Sequence, residues 1–137
     1  MKDDPVRQRL RQLRASDAVV AGGLGGLVKK WEATAQAIAD GYDLDLDSYL
    51  NDLDARQFLE LLIKDLPTES GQYVERIRAA DSLVKRSTKP STCVWGETVA
   101  RKEGWTQEGN WWYFVVPLRA SQELLDELQR SGTDFSL

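Results

Sequence analysis

The chain has 137 residues, 42% of them hydrophobic and 29% charged, with a net charge of −4. Such a chain is the usual size of one globular domain and can bury a core without disulfides or a structural metal, and no stretch approaches the roughly twenty apolar residues that span a bilayer. The absence of histidine excludes Ser-His-Asp and Cys-His nucleophilic catalysis, and with only one cysteine the usual zinc sites are excluded too.

Cys93 has no partner for an internal disulfide. Its flanks Thr92, Val94 and Trp95 carry no positive charge to lower a thiol pKa, so a buried structural cysteine is expected. The chain opens Met-Lys-Asp-Asp-Pro with no apolar leader, which points to a cytoplasmic protein. Charge is distributed unevenly: residues 1–30 carry seven basic and three acidic side chains, and residues 31–70 carry two basic and ten acidic.

Asp4 and Pro5 make a good helix start, and Val6, Leu10 and Leu13 then recur at helical spacing, predicting a first helix from about Pro5 toward Asp17. Gly22, Gly23, Gly25 and Gly26 follow, too many glycines for a helix interior, and predict a flexible joint. Leu27, Val28, Trp31, Ala35 and Ile38 form one apolar stripe of a second helix, stopped by Gly41. After an aspartate-rich link, Leu50, Leu53, Phe58, Leu59, Leu61, Leu62 and Leu66 supply the core helix, with a break open near Asp54 and an end at Pro67. Thr68 is placed to cap the next helix, whose stripe is Tyr73, Ile77, Ala80 and Val84. The polar run from Ser87 to Thr92 ends it.

Beyond Thr92 the composition suits a pleated surface, and Cys93-Val94-Trp95 and Trp111 to Val116 predict two strands. The segment between them is too long for a tight turn and allows a helical turn around Thr98 to Glu103. Ser121 caps a final helix bearing Leu124, Leu125 and Leu128, with Gly132 past its end. The expected fold is α+β and mainly α, four or five amphipathic helices packed with a small antiparallel aromatic ribbon. The expected layout is a single domain over 1–137: a basic helix and Gly-rich joint in 1–26, a helical core in 27–86, the ribbon in 93–117 and a last helix in 121–131.

Several patterns bear on function. The glycine cluster has neither the spacing and Gly-Lys-Ser/Thr of a P-loop nor the third glycine of a dinucleotide fingerprint, which leaves it a linker. Asp43, Asp45 and Asp47 match the first, third and fifth positions of a calcium loop ending at Asp54. Ser48 stands at the glycine position and an aspartate replaces the closing glutamate, so helix capping, foremost by Asp47, is preferred to a metal site, and no metal or cofactor is assigned. The tryptophans Trp95, Trp105, Trp111 and Trp112 suggest aromatic stacking, but Arg101 and Lys102 are balanced by Glu97, Glu103 and Glu108. No basic stripe supports nucleic-acid binding, and most of these rings are expected in the core. Arg7, Arg9, Arg11 and Arg14 make the first helix basic, yet it is short and lacks aromatics, so no membrane contact is assigned.

The order Trp31, Gly41-Tyr42, Tyr49-Leu50-Asn51-Asp52-Leu53-Asp54-Ala55-Arg56, then Trp95-Gly96 and Trp111-Trp112-Tyr113 resembles that of short uncharacterised bacterial cytosolic proteins with a Trp-rich C-terminal segment. The likeness spans Trp31 to Leu128 and implies no activity, ligand or site. In size, acidity and lack of catalytic residues the chain is also similar in kind to bacterial immunity proteins, a likeness of properties without a shared motif.

The leading expectation is a non-enzymatic bacterial interaction protein, of the immunity type, that binds a basic protein partner. Its patch would be Asp40, Asp43, Asp45, Asp47, Asp52 and Asp54, with Tyr42 and Tyr49 as anchors, since clustered carboxylates steer a cationic partner. The alternative is a small-ligand binder or histidine-free enzyme with an aromatic pocket formed by Arg56, Trp95, Glu97, Arg101, Trp105, Trp111 and Trp112. Calcium binding between Asp43 and Asp54 is the third reading.

Overall fold

The computed structural model describes residues 4–136, so the expectation drawn from Met1 to Asp3 lies outside the described residues. The fold is mainly helical with a small two-stranded antiparallel sheet. The helices are α1 (Pro5–Gln12), α2 (Asp17–Asp40), α3 (Leu46–Asp65), α4 (Pro67–Ser70), α5 (Val74–Arg86), α6 (Glu97–Glu103) and α7 (Gln122–Arg130). That is more than the four or five expected, because the segment from Pro67 breaks into the single turn α4, a 3-10 turn (Gly71–Tyr73) and α5, and because the helical turn allowed around Thr98 to Glu103 forms as α6. Among the described residues no helix is long and apolar enough to cross a membrane.

Helix α1 starts on Asp4, whose carboxylate accepts the Arg7 amide, with Pro5 in the first turn. It ends at Gln12, and Arg14, at φ 61°, turns the chain into Ser16, which caps α2 through the Val19 amide. The glycine cluster is no joint: it lies within α2, and only Gly23 leaves helical geometry, at φ 63° and ψ −158°. The kink frees backbone carbonyls, and Arg7 meets them, donating from Nε to Val20 O at 3.2 Å and from Nη2 to Ala21 O at 3.1 Å. The break is therefore stitched to α1, and the helix continues through Leu24, Leu27, Val28, Trp31, Ala35 and Ile38, all buried.

Asp45, not Asp47, caps α3 by accepting the Ser48 amide at 2.9 Å, and the helix passes Asp54 without a break. Thr68 caps nothing: the residue before α4 is Leu66, which makes no side-chain cap bond. Ile77, Ala80 and Val84 of α5 are buried as expected. Helix α2 packs on α5, α3 and α1, and the core also takes in Leu124 and Leu128 of α7.

The sheet differs from expectation. Strand β1 is Thr88–Pro90, in the polar run expected only to end the preceding helix, and β2 is Val115–Pro117, paired with Lys89 opposite Val116. Cys93 to Trp95 is not a strand; Val94 donates one backbone bond to Tyr113 O. Trp111–Tyr113 is a 3-10 turn. A strand would point Trp112 and Tyr113 to opposite faces, whereas both are 1% exposed, and the tighter turn lets two consecutive rings face inward.

A polar knot joins the helices inside this core. Asp81 of α5 accepts Trp31 Nε1 at 2.9 Å and holds Arg56 of α3 through Nε at 2.9 Å and Nη2 at 3.1 Å. The Arg56 guanidinium lies 4.5 Å over the ring of Trp112, whose own Nε1 is buried with no hydrogen-bond partner among the described residues.

Candidate functional site

A groove of about 480 Å³ opens between α3 and α6. Its α3 wall is Asp54, Gln57, Phe58 and Leu61, spaced i, i+3, i+4 and i+7 and therefore on one helix face. The facing wall is Val99, Lys102 and Glu103 of α6, which share a face by the same rule. Glycines bracket α6: Gly96 at φ 100° and Gly104 at φ 74° take conformations that side-chain-bearing residues rarely adopt. These turns bring Trp95 and Trp105 in from the two ends of α6, and Tyr113 and Leu13 complete the lining.

The rings are held in place. Trp105 stacks on Tyr113 with centroids 4.1 Å apart and planes 22° apart. The loop between them is tied by Gly109 N to Thr106 Oγ1 at 2.9 Å and anchored to α3 by Asn110 Nδ2 to Gln57 Oε1 at 3.0 Å. Oδ1 of Asp54 accepts both the Tyr113 hydroxyl at 2.6 Å and Trp95 Nε1 at 3.2 Å. Burial pushes the Asp54 carboxyl above the usual carboxylate range, opposed by those two hydrogen bonds and by the charge of Lys30. Burial and the adjacent carboxylate together push the Tyr113 phenol up. The groove thus combines apolar walls with a carboxylate whose donors are both neutral.

Of the aromatic pocket expected from sequence, only Trp95 and Trp105 meet here. Arg56 is buried in the knot with Asp81 and also contacts Glu60 at 3.1 Å. Trp112 is core, and Trp111 packs edge-on against Trp31 at 6.4 Å with Lys85 Nζ 4.7 Å from its ring. Glu97 and Arg101 are exposed and do not line the groove. Sequence reasoning missed Tyr113, Phe58, Leu61, Leu13 and Val99 as lining residues and placed Asp54 elsewhere. The α3 stripe from Asp54 to Leu61 was readable at helical spacing.

The acidic patch is largely taken up by the protein itself. Tyr42 and Tyr49 are buried, edge to face at 5.2 Å, and cannot serve as surface anchors. Tyr42 donates to Asp52 Oδ2 at 2.6 Å and Tyr49 to Val115 O at 2.7 Å, and burial raises both phenols. Asp52 also has Lys30 Nζ at 3.9 Å, Asp45 is the α3 cap, and Asp54 belongs to the groove. Asp40, Asp43 and Asp47 remain exposed, with Asp40 accepting from Gln36. The calcium loop is not formed: α3 begins at Leu46, so most of the twelve positions from Asp43 to Asp54 are wound around a helix instead of converging. Among the described residues no group of three or more His, Cys, Asp or Glu side chains could hold a metal ion.

No protein family, curated protein or solved structure gives a significant match to this chain.

Proposed function

We propose that this chain is a small-ligand-binding protein whose site is the groove between α3 and α6, acting in the bacterial cytoplasm as its resemblance implies. The observation that supports this reading most is the half-buried Asp54 carboxylate set among Trp95, Trp105 and Tyr113. The volume lies within the roughly 300–1,000 Å³ of small-molecule sites, and apolar walls with few fixed polar groups are the usual design of such sites. The neutral probe 2-phenylethanol tests it by NMR. The indole N–H signals of Trp95 and Trp105 should shift and those of Trp31 and Trp112 should not, and Val99→Trp, which fills the groove, should abolish the shift. Binding that moves only other indoles would refute the assignment.

A second reading keeps the basic protein partner of the immunity type on a smaller surface. Leu44, 48% exposed, stands beside Asp43 with Asp40 and Asp47 close in sequence, an apolar contact rimmed by charge. Capture of a basic partner that weakens with salt and is lost on Leu44→Ser favours this reading, and capture unaffected by that change opposes it.

A further inference from the structure

Asp54 has two oxygens in different situations. Oδ1 is filled by the Tyr113 hydroxyl and Trp95 Nε1, while Oδ2 accepts no hydrogen bond among the described residues. Neither donor carries charge. Lys30 of α2 acts on Asp54 through its field, but its nearest carboxylate is Asp52, at 3.9 Å. Arg14 and Lys30 line a smaller cavity that Asp54 also borders, and among the described residues neither makes an ion pair with it. Partial burial raises the Asp54 carboxyl, and a partly desolvated carboxylate with no ion pair is stabilised by a cation that joins it.

Resting on the reading above, we propose that the groove's ligand is an organic amine: a protonated ammonium joined to an apolar body, with an ammonium N–H donated to the Asp54 carboxylate. Three observations converge on this class. The ammonium meets a charged acceptor, and such charge-assisted bonds are about twice as strong as neutral ones. Trp95, Trp105 and Tyr113 line the same groove as the carboxylate, and aromatic rings attract cations. The remaining groove, walled by Phe58, Leu61 and Val99, is too large for an ammonium alone and suits an aromatic or branched aliphatic body. Of its charged side chains, Asp54 and Glu103 outnumber Lys102, so anions are disfavoured.

The test compares 2-phenylethylamine, 2-phenylethanol and phenylacetate, which share a ring and differ in charge, by titration of the Trp95 and Trp105 indole signals. The amine should bind at least tenfold more tightly than the alcohol, and phenylacetate most weakly. Asp54→Asn should abolish the amine's advantage over the alcohol, so that the two bind with the same affinity in the variant. The wild-type protein gives an independent reading, because the amine's advantage should vanish in acid as Asp54 protonates, at a pH above the usual range for aspartate. Equal affinities for amine and alcohol would overturn the amine inference while leaving the groove as a ligand site. Binding of amine and alcohol, with the amine at least tenfold tighter, supports both readings, and binding of none of the three overturns both.

Discussion

Replacing Asp81 with alanine removes the acceptor of Trp31 Nε1 and both oxygens that hold Arg56. The Arg56 side chain is 7% exposed and that of Asp81 14%, so the guanidinium left behind stays desolvated. Breaking a buried pair from one side costs about 3–5 kcal/mol, and an unpaired buried donor such as the Trp31 indole adds about 1–3 kcal/mol. Glu60, still within 3.1 Å of Nη1, offsets part of this, and the net loss is set at about 4 kcal/mol. With a urea dependence of about 2 kcal/mol per molar, the unfolding midpoint should fall by about 2 M. The double variant Arg56→Met with Asp81→Leu removes both charges of the pair at similar volume and should lose less than Asp81→Ala. A fall below about 0.5 M in Asp81→Ala, or a double variant worse than the single one, would refute the view of Arg56 as a buried charge held by Asp81.

Further outcomes follow from local geometry. Gly23→Ala should destabilise by about 1–3 kcal/mol, since φ 63° with ψ −158° is a region reserved for glycine. Gly22→Ala and Gly26→Ala, helical and with nothing within 4 Å of an added Cβ, should each stabilise by about 0.4–1 kcal/mol; thermal denaturation separates these signs. Ser121→Ala removes the side chain that accepts the Leu124 amide and should cost about 1 kcal/mol. Tyr42, Tyr49 and Tyr113 have phenols raised by burial, so the unfolded chain ionises before the folded one. Their contribution to stability is complete below the ordinary tyrosine range and is lost as pH rises through it and beyond. Absorbance titration should show these three phenols ionising only together with unfolding, and reversible ionisation in the folded protein would contradict their burial.

The helices that were readable in advance are those whose signals are local. Asp4-Pro5, the stripe from Leu27 to Ile38, Ile77-Ala80-Val84 and the Ser121 cap each act within a turn or two of themselves. What escaped depends on distant partners. The glycines of α2 stay helical around a single break because Arg7 on another helix satisfies the freed carbonyls. Trp111–Tyr113 gives up strand geometry because tertiary burial draws two neighbouring rings inward, and β1 exists because β2 comes to it from later in the chain. The aspartates from 40 to 54 looked like a surface, yet three of them are engaged by the Ser48 amide, by the Tyr42 hydroxyl and by Tyr113 with Trp95. One wall of the groove was legible at helical spacing in α3, and the opposite wall arrives some forty residues on, beyond any window of local periodicity.

The link between α2 and α3 is bound to the end of the fold. Tyr42 N donates to Arg119 O and Ser121 N to Tyr42 O, and Leu46 N donates to Glu127. During translation, α2 and α3 therefore emerge well before the residues that fasten their junction. Until residues 113–134 follow, the phenol of Tyr49 lacks Val115 and the face of α3 that meets α7 is uncovered. A nascent chain halted in that interval would present apolar surface of the kind chaperones recognise.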